Sequence, residues 1–421
     1  MIYTLQIALK SLINRRFTTS LTVLSIALSV ALLIGVERIR DGARESFSNT
    51  ISQTDLIVGS KGGTIQLLLY AVFRMGSATG NLSWEAFQKY SKHPAVEWTI
   101  PYSLGDSHRG FRVVGTNSSF YEHYRYRGDR QIELASGIAG QGLFDVVLGS
   151  DVASNAGYKV GDRVVVSHGV ATEAILKHDT MPFTVVGILK RTATPIDRSV
   201  YITLEGMEAI HMDWGDGAPP RRGEETRPES VQKEKIEIGQ ITAFLLRTKN
   251  RVETLRLQRE INDDPSEPLM AIIPGVALNE LWLGLSYAED ALRVVSVLVI
   301  LVGLLGMLVS LYNSLNERRR EMAILRAVGA GPGMILTLMV FESTLLTTIG
   351  TAVGVVMTYG TLFALNPLIE SHFGLYVPIN FLTGAEMLYL ALVIGCGIAL
   401  GVIPAWRAYR KTLADGLTIR V

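Results

Sequence analysis

Residues 294–333 read VVSVLVILVGLLGMLVSLYNSLN and then ERRREMAILRAVGAGPG: twenty-three residues without a charge, followed by six charges in the next ten. A bilayer core about 30 Å thick takes roughly 20 apolar residues to cross as a helix. Val294–Asn316 therefore reads as a membrane span, and Glu317 marks the point where it leaves the hydrocarbon. Three further runs qualify: Phe17–Val36 and Met387–Trp406 carry no charge, and Ala327–Ile369 carries only Glu342. The spans predicted are 17–36, 294–316, 334–365 and 387–406, with Asn366-Pro367 stopping the third.

Composition agrees. The chain has 421 residues, 48% hydrophobic and 19% charged, with a mean hydropathy of +0.27, a mixture of spans with a sizeable polar domain. A net charge of +1 offers no field to hold a polyanion, which argues against nucleic acid as a partner. Cys396, the single cysteine, excludes an intrachain disulfide and a Cys-based zinc site. The first run competes with a cleaved signal peptide, since Lys10, Arg15 and Arg16 precede it. Its apolar stretch exceeds the roughly 7–15 residues of a signal h-region and no small-residue cleavage site follows, so it reads as an anchor.

Lys and Arg in short loops stay on the cytoplasmic side. Segments 1–16, 317–333 and 407–421 are rich in them, whereas 366–386 has Glu370 and Glu386 and neither Lys nor Arg. Both termini are predicted cytoplasmic, and 37–293 is predicted to lie outside. That outer segment is mildly acidic. Helical stripes run into the membrane from it: Val36, Ile39, Ala43, Phe47 and Ile51 after the first span, and Leu278, Leu281, Leu285, Ala288 and Leu292 before the second. Two packed stalk helices are predicted from them, against separate amphipathic helices lying on the domain.

Between the stalks, short β-branched runs at 54–59, 110–115, 145–149, 163–167, 183–189 and 199–204 predict strands. Segments 84–92, 205–211 and 251–262 predict helices, making an α+β domain long enough for two lobes. Residues 212–236 are charged and poor in aliphatics, and read as a flexible excursion.

Catalytic patterns are missing. No GxxxxGK[ST], HExxH or GxSxG occurs, and the seven histidines, 93, 108, 123, 168, 178, 211 and 372, lack ligand spacing. No catalytic, cofactor-binding or metal-ligating residue is assigned, and the chain is not expected to be an enzyme. The segment 317–330 is different: Met322, Leu325 and Gly329 on one face with Arg318, Arg319 and Arg326 around it suit docking into a partner's groove. Plain anchoring to lipid headgroups is the competing explanation.

Here the chain resembles a known family. Glu317–Ala330 is similar to the [E]RRREI-x-[IL]-[RK]-A-[LV]-G-A pattern of the FtsX-like permeases, which include MacB, the lipoprotein-releasing Lol permeases and FtsX. Residues 7–12 and 15–22 resemble the family's amino-terminal elbow, 146–153 and 159–165 its MacB-type outer domain, and 403–410 its carboxy-terminal end. The resemblance implies four transmembrane helices with a large α+β extracytoplasmic domain, divided into porter-like and sabre-like lobes on a helical stalk. It implies a dimeric permease of the bacterial inner membrane and a separate P-loop ATPase that binds ATP and magnesium. An adaptor and an outer-membrane channel are further possible partners.

By the same resemblance, Glu317, Arg318, Arg319, Arg320, Glu321, Leu325, Arg326 and Gly329 form the ATPase-coupling helix, and ATP hydrolysis drives movement of the outer domain, a mechanotransmission. A lipoprotein-releasing permease and an FtsX-like regulator of cell-wall hydrolases are the alternatives, and an ATP-independent sensor is a third. Glu342, inside the third span, is an expensive carboxylate that needs a partner. Gly350, Gly354, Gly397 and Gly401 permit close helix contact, within the chain or at a dimer seam. Charge reversal at Arg318, Arg319 and Arg326 is expected to abolish capture of the ATPase in pull-downs; retained partner binding would favour the ATP-independent sensor.

Overall fold

The computed structural model describes residues 10, 12–169, 177–214, 226–317, 331–373 and 377–414. It divides into a helix bundle (Met1–Gly42, Ser286–Pro367 and Val377–Val421) and an inserted domain (Ala43–Leu285 with Leu368–Tyr376). The long helix α1 (Arg16–Thr50) leads into β1 (Leu56–Ser60), α2 (Thr64–Phe73), β2 (Leu82–Ser83) and α3 (Trp84–Ser91). Next come β3 (Val96–His108), β4 (Phe111–Thr116), α4 (Ser119–His123), β5 (Arg125–Tyr126), β6 (Arg130–Gln131) and β7 (Leu134–Gly137). Then follow β8 (Asp145–Leu148), α5 (Ser150–Ala156), β9 (Arg163–Val164), β10 (Phe183–Leu189), β11 (Ser199–Thr203) and α6 (Leu204–His211). The domain closes with β12 (Gln240–Ile241), β13 (Ala243–Thr248), α7 (Arg251–Asn262) and β14 (Leu269–Ile272), ahead of α8 (Pro274–Glu317), α9 (Pro332–Phe373) and α10 (Gly384–Ala414).

Ten strands share one mixed sheet in the order β14-β1-β13-β3-β4-β11-β8-β10-β7, with β9 on β10. The 13-residue β3 joins its halves: Val96–Tyr102 pairs with β13, and Ser103–His108 pairs with β4 across a register shift between Leu104 and Ser107. Such a bulge bends the strand and re-aims the side chains beyond it. Val113, Val146, Leu148, Phe183 and Ile202 form the core of the β4–β10 half, and Leu56, Val58, Phe244, Leu246 and Leu257 that of the β14–β13 half. Polar residues start the helices where expected. Ser83, Thr203 and Asn250 accept the first free backbone N–H groups of α3, α6 and α7.

All six expected strand segments contain strands, although 163–167 keeps only Arg163–Val164 because Ser167 forms isolated bridges instead. The three expected helices are α3, α6 and α7. Residues 212–236 differ from the expected excursion. Thr226 donates its N–H and hydroxyl to Asp213 at 2.8 and 2.6 Å, and Val231 and Ile236 pack on the core. A few apolar anchors and one carboxylate suffice to hold these charge-rich stretches; residues 215–225 lie outside the described set. Of the two stalk stripes, Phe47, Leu278 and Leu281 join the domain core, where the Phe47 ring lies 4.4 Å from Phe73 and 5.6 Å from Trp282. Ile39, Leu285 and Leu292 are exposed. The aromatic rings that receive Phe47 have no counterpart further along the stripes.

Among the described residues, four helical stretches are long and apolar enough to cross a membrane: Arg16–Thr50, Pro274–Asn313, Leu336–Ile369 and Gly384–Trp406. The boundary expected from Asn366-Pro367 shifts. α9 runs through Asn366-Pro367 to Phe373, and α10 runs through Pro404 to Ala414. A proline removes one helical hydrogen bond, which apolar helices tolerate when neighbours hold them. Asn366 also fastens the segment after α9, donating to Val377 O at 3.0 Å and accepting from Val377 N at 3.3 Å.

Small residues set the helix contacts, and they do so within this chain. A side chain at Gly350 would sit 2.8 Å from Ile26, and one at Gly354 2.7 Å from Ala27 O and 2.8 Å from Val30, so α9 meets α1 backbone to backbone. Gly303 of α8 faces Ser29 on the same helix, whose hydroxyl also reaches Val299 O at 3.1 Å. Gly397 and Gly401 of α10 receive Thr347 and Ser343 of α9. The four glycines singled out in the sequence thus form intrachain seams. Gly354→Leu is expected to destabilise the protein by about 1–3 kcal/mol through overpacking, read as a lower unfolding temperature in detergent. Gly360→Leu, where a side chain would meet nothing within 4 Å, is expected to leave it unchanged.

Candidate functional site

The expected coupling segment, Arg318–Ala330, lies outside the described residues; Glu317 is the last residue of α8. Glu342 is 3% exposed, between buried Met339 and the buried Ser343 and Thr347 that meet the α10 glycines. It belongs to a polar seam inside the bundle.

Two adjacent residues not singled out in the sequence, Glu37 and Arg38, make ion pairs inside the bundle. Arg38 lies with Nε and Nη2 2.6 and 2.8 Å from the two oxygens of Glu386, both side chains buried. The same guanidinium donates to Tyr359 Oη at 3.0 Å and Phe381 O at 2.9 Å, and the Thr383 N–H donates to Glu386 at 2.6 Å. Glu37 pairs with Arg40 at 2.6 Å and with Arg293 of α8 at 3.3 Å. Through Glu37 and Arg38, α1 is therefore tied to α8, α9 and α10. Each had looked like an ordinary charge flanking a span; their pairing needs partners more than 250 positions away.

The inserted domain holds a second constellation. Asp106 lies within the bulge of β3, and the bridge Ser107–Ser167 brings His168 beside it. Ser167 in turn bridges Lys177, which places His178 next in line, and His211 closes the group from the last turn of α6. One ligand atom from each of the four residues falls within 4.8 Å of all the others. His168 Nδ1 lies 3.2 Å from His211 Nε2 and 3.4 Å from Asp106; His211 Nε2 lies 3.3 Å, and His178 Nε2 3.9 Å, from Asp106 Oδ2. Trp214 covers the group, its ring 5.1 Å from His168 and 4.5 Å from His178.

Burial pushes the His178 imidazole down to about 4, against the charge of Asp106. Burial also opposes charge on His211, but the Asp106 carboxylate 3.3 Å away prevails and holds it above the usual histidine range. Asp106 Oδ2 and His178 Nε2 are buried without a hydrogen-bond partner. Each such atom costs about 1–3 kcal/mol. His108, two residues from Asp106, is a contrast: its ring nitrogens meet Val165 O at 2.7 Å and Tyr158 Oη at 3.0 Å, as in a satisfied core histidine.

Four apolar helices of spanning length, with a mixed sheet domain inserted between the first and the second, define a multi-pass membrane protein of the permease type. Residues 19–262 match the MacB-like periplasmic core domain, and 293–413 match the FtsX-like permease C-terminal family. The chain belongs to the MacB-like, FtsX-like family of ABC transporter permeases. It is 24% identical over 418 residues to the pyoverdine export ATP-binding/permease protein PvdT of Pseudomonas savastanoi pv. phaseolicola, covering 96% of this chain and 57% of that protein. The macrolide export ATP-binding/permease protein MacB of Chromobacterium violaceum is 30% identical over 131 residues, 30% of this chain and 19% of MacB. The chain thus spans little more than half the length of the first and a fifth of the second. The extracellular domain of the ABC-type transporter YknZ from Gram-positive bacteria overlays with a TM-score of 0.31 and 11% identity, covering 52% of this chain and 98% of that structure.

Arg38→Ala or Glu386→Ala is expected to cost about 3–5 kcal/mol by leaving one buried charge unpaired. The double substitution Arg38→Met with Glu386→Met is expected to recover most of that loss in the same detergent unfolding measurement.

Proposed function

We propose that the chain is the permease subunit of a MacB-type ABC transporter, which converts ATP hydrolysis by a P-loop ATPase into movement of the inserted domain. The output is export or extraction of a periplasmic or membrane-borne substrate. The observation that carries this reading is the succession, in one chain, of a MacB-like periplasmic core domain and an FtsX-like permease region. The 418-residue alignment with an export ATP-binding/permease protein adds to it.

The helices supply a physical means. α1 and α8 run 35 and 44 residues without an interior proline, and each contributes to both the bundle and the inserted domain. Axial displacement or rotation of such a helix is transmitted along its hydrogen-bonded length, since a helix is far stiffer than a loop. In this reading the 317–330 segment receives the push from the ATPase, the termini face the cytoplasm and the domain faces the periplasm. The chain itself does no bond chemistry; ATP and magnesium belong to the ATPase. A second permease copy completes the assembly.

Purification from the native membrane in mild detergent, followed by mass spectrometry of co-purifying chains, is expected to recover a P-loop ATPase with vanadate-sensitive activity. Absence of any ATPase, even after crosslinking through 317–330, would overturn the reading and favour an ATP-independent sensor.

A further inference from the structure

We propose that Asp106, His168, His178 and His211 form a transition-metal site of the zinc class, which ties β3, the segments at Ser167 and His178, and the end of α6 into one unit. The coupling function described above makes no use of these residues. The four side chains come from three separate stretches of sequence, and the fold turns every ligand atom toward a common point.

The distances fit an ion. With metal–nitrogen and metal–oxygen bonds of about 2.0–2.2 Å, neighbouring ligand atoms of a tetrahedral site stand about 3.3–3.6 Å apart. The separations include 3.2, 3.3 and 3.9 Å, with 3.4 Å from His168 to the other Asp106 oxygen, and all four ligand atoms lie within 4.8 Å of one another. A hydrogen-bond network would explain the cluster only if it satisfied the buried atoms, and it does not. Asp106 Oδ2 and His178 Nε2, on side chains 2% and 1% exposed, have no partner although they face each other.

The surroundings fit as well. His211 Nδ1 lies 2.8 Å from Met207 O, a contact that fixes the proton on Nδ1 and leaves the Nε2 lone pair directed into the cluster. Metal-binding histidines are commonly held by a carbonyl in this way. Three imidazoles with one carboxylate suit zinc, and copper or nickel as competitors. Four protein ligands leave no coordination position open for a substrate, so the ion would hold structure and perform no hydrolysis. Entry is through His168, whose side chain is 41% exposed, while Trp214 closes another side.

The test uses the full chain in detergent, carrying an affinity tag without histidine, stripped with chelator and titrated with Co(II) as a visible stand-in for Zn(II). One equivalent is expected to give the intense visible absorption of tetrahedral Co(II) and to be displaced by Zn(II). Cu(II) is expected to quench fluorescence that Trp214→Phe removes, and the unfolding temperature is expected to rise with Zn(II) concentration. His168→Gln, at the accessible rim, is expected to weaken binding by more than about 100-fold, since loss of a mere outer-shell partner already costs 10–100-fold. Asp106→Asn tests the buried carboxylate by the same titration, and His123→Gln, outside the cluster, is expected to change nothing. Lack of a stoichiometric tetrahedral signal in the unmodified protein overturns the proposal. So does unchanged affinity in His168→Gln, whatever the folding of Asp106→Asn.

Discussion

The bundle depends on one stretch of α1, from Ile26 to Arg38. Helices in lipid gain nothing from hiding apolar surface, because the solvent is as apolar as they are, so close packing and polar pairing must hold them. α1 supplies both. Ile26, Ala27 and Val30 fill the grooves opened by Gly350 and Gly354, and Ser29 closes on Gly303. One turn beyond Ile34, Glu37 and Arg38 reach Arg293, Tyr359 and Glu386. Contacts between α9 and α10 add a further seam, but α1 is the element that all three others meet. A buried pair such as Arg38–Glu386 adds less to stability than its geometry suggests, since both charges had to be desolvated. What it contributes is register: only one axial setting of α1 against α10 satisfies it.

In the inserted domain the comparable constraint is β3. A single 13-residue strand belongs to both halves of the sheet, and its bulge changes which side chains point where. Asp106 lies within that irregular stretch, between the shifted pairs Leu104–Val114 and Ser107–Arg112, and this carries its carboxylate to His168, His178 and His211. The structural economy of the strand and the chemistry of the cluster therefore share one cause.

Family membership and local architecture bear on function at different levels. The family defines a class of machine, an ABC transporter permease with a MacB-like domain. The continuity of α1 and α8 is the feature on which the proposed displacement rests, and the His–Asp cluster lies within the inserted domain. Neither level names a substrate, since substrate recognition resides in surfaces that share chemistry with many unrelated ligands.

Much of the local structure was legible in advance, because hydropathy and β-branched runs act over a few residues. The four spans, six strand segments and three helices of the domain follow from patterns shorter than one element. β3 was not legible as a whole: Pro101, Gly105 and Asp106 interrupt its alternation, and only pairing with β13 and β4 makes it one strand. α2 was missed because its ten residues, six of them buried, fall below the length of a span. The end of α9 moved because a proline signals a missing hydrogen bond, and neighbouring helices can absorb that loss. The sequence by itself determined how many helices could cross a membrane, where the sheet domain is inserted and which family pattern follows the second span. Only the tertiary structure decided that the four glycines face helices of their own chain, that Arg38 finds Glu386 and that three scattered histidines meet Asp106. Those are contacts between residues tens to hundreds of positions apart, and no periodicity encodes a distance that only the closed fold creates.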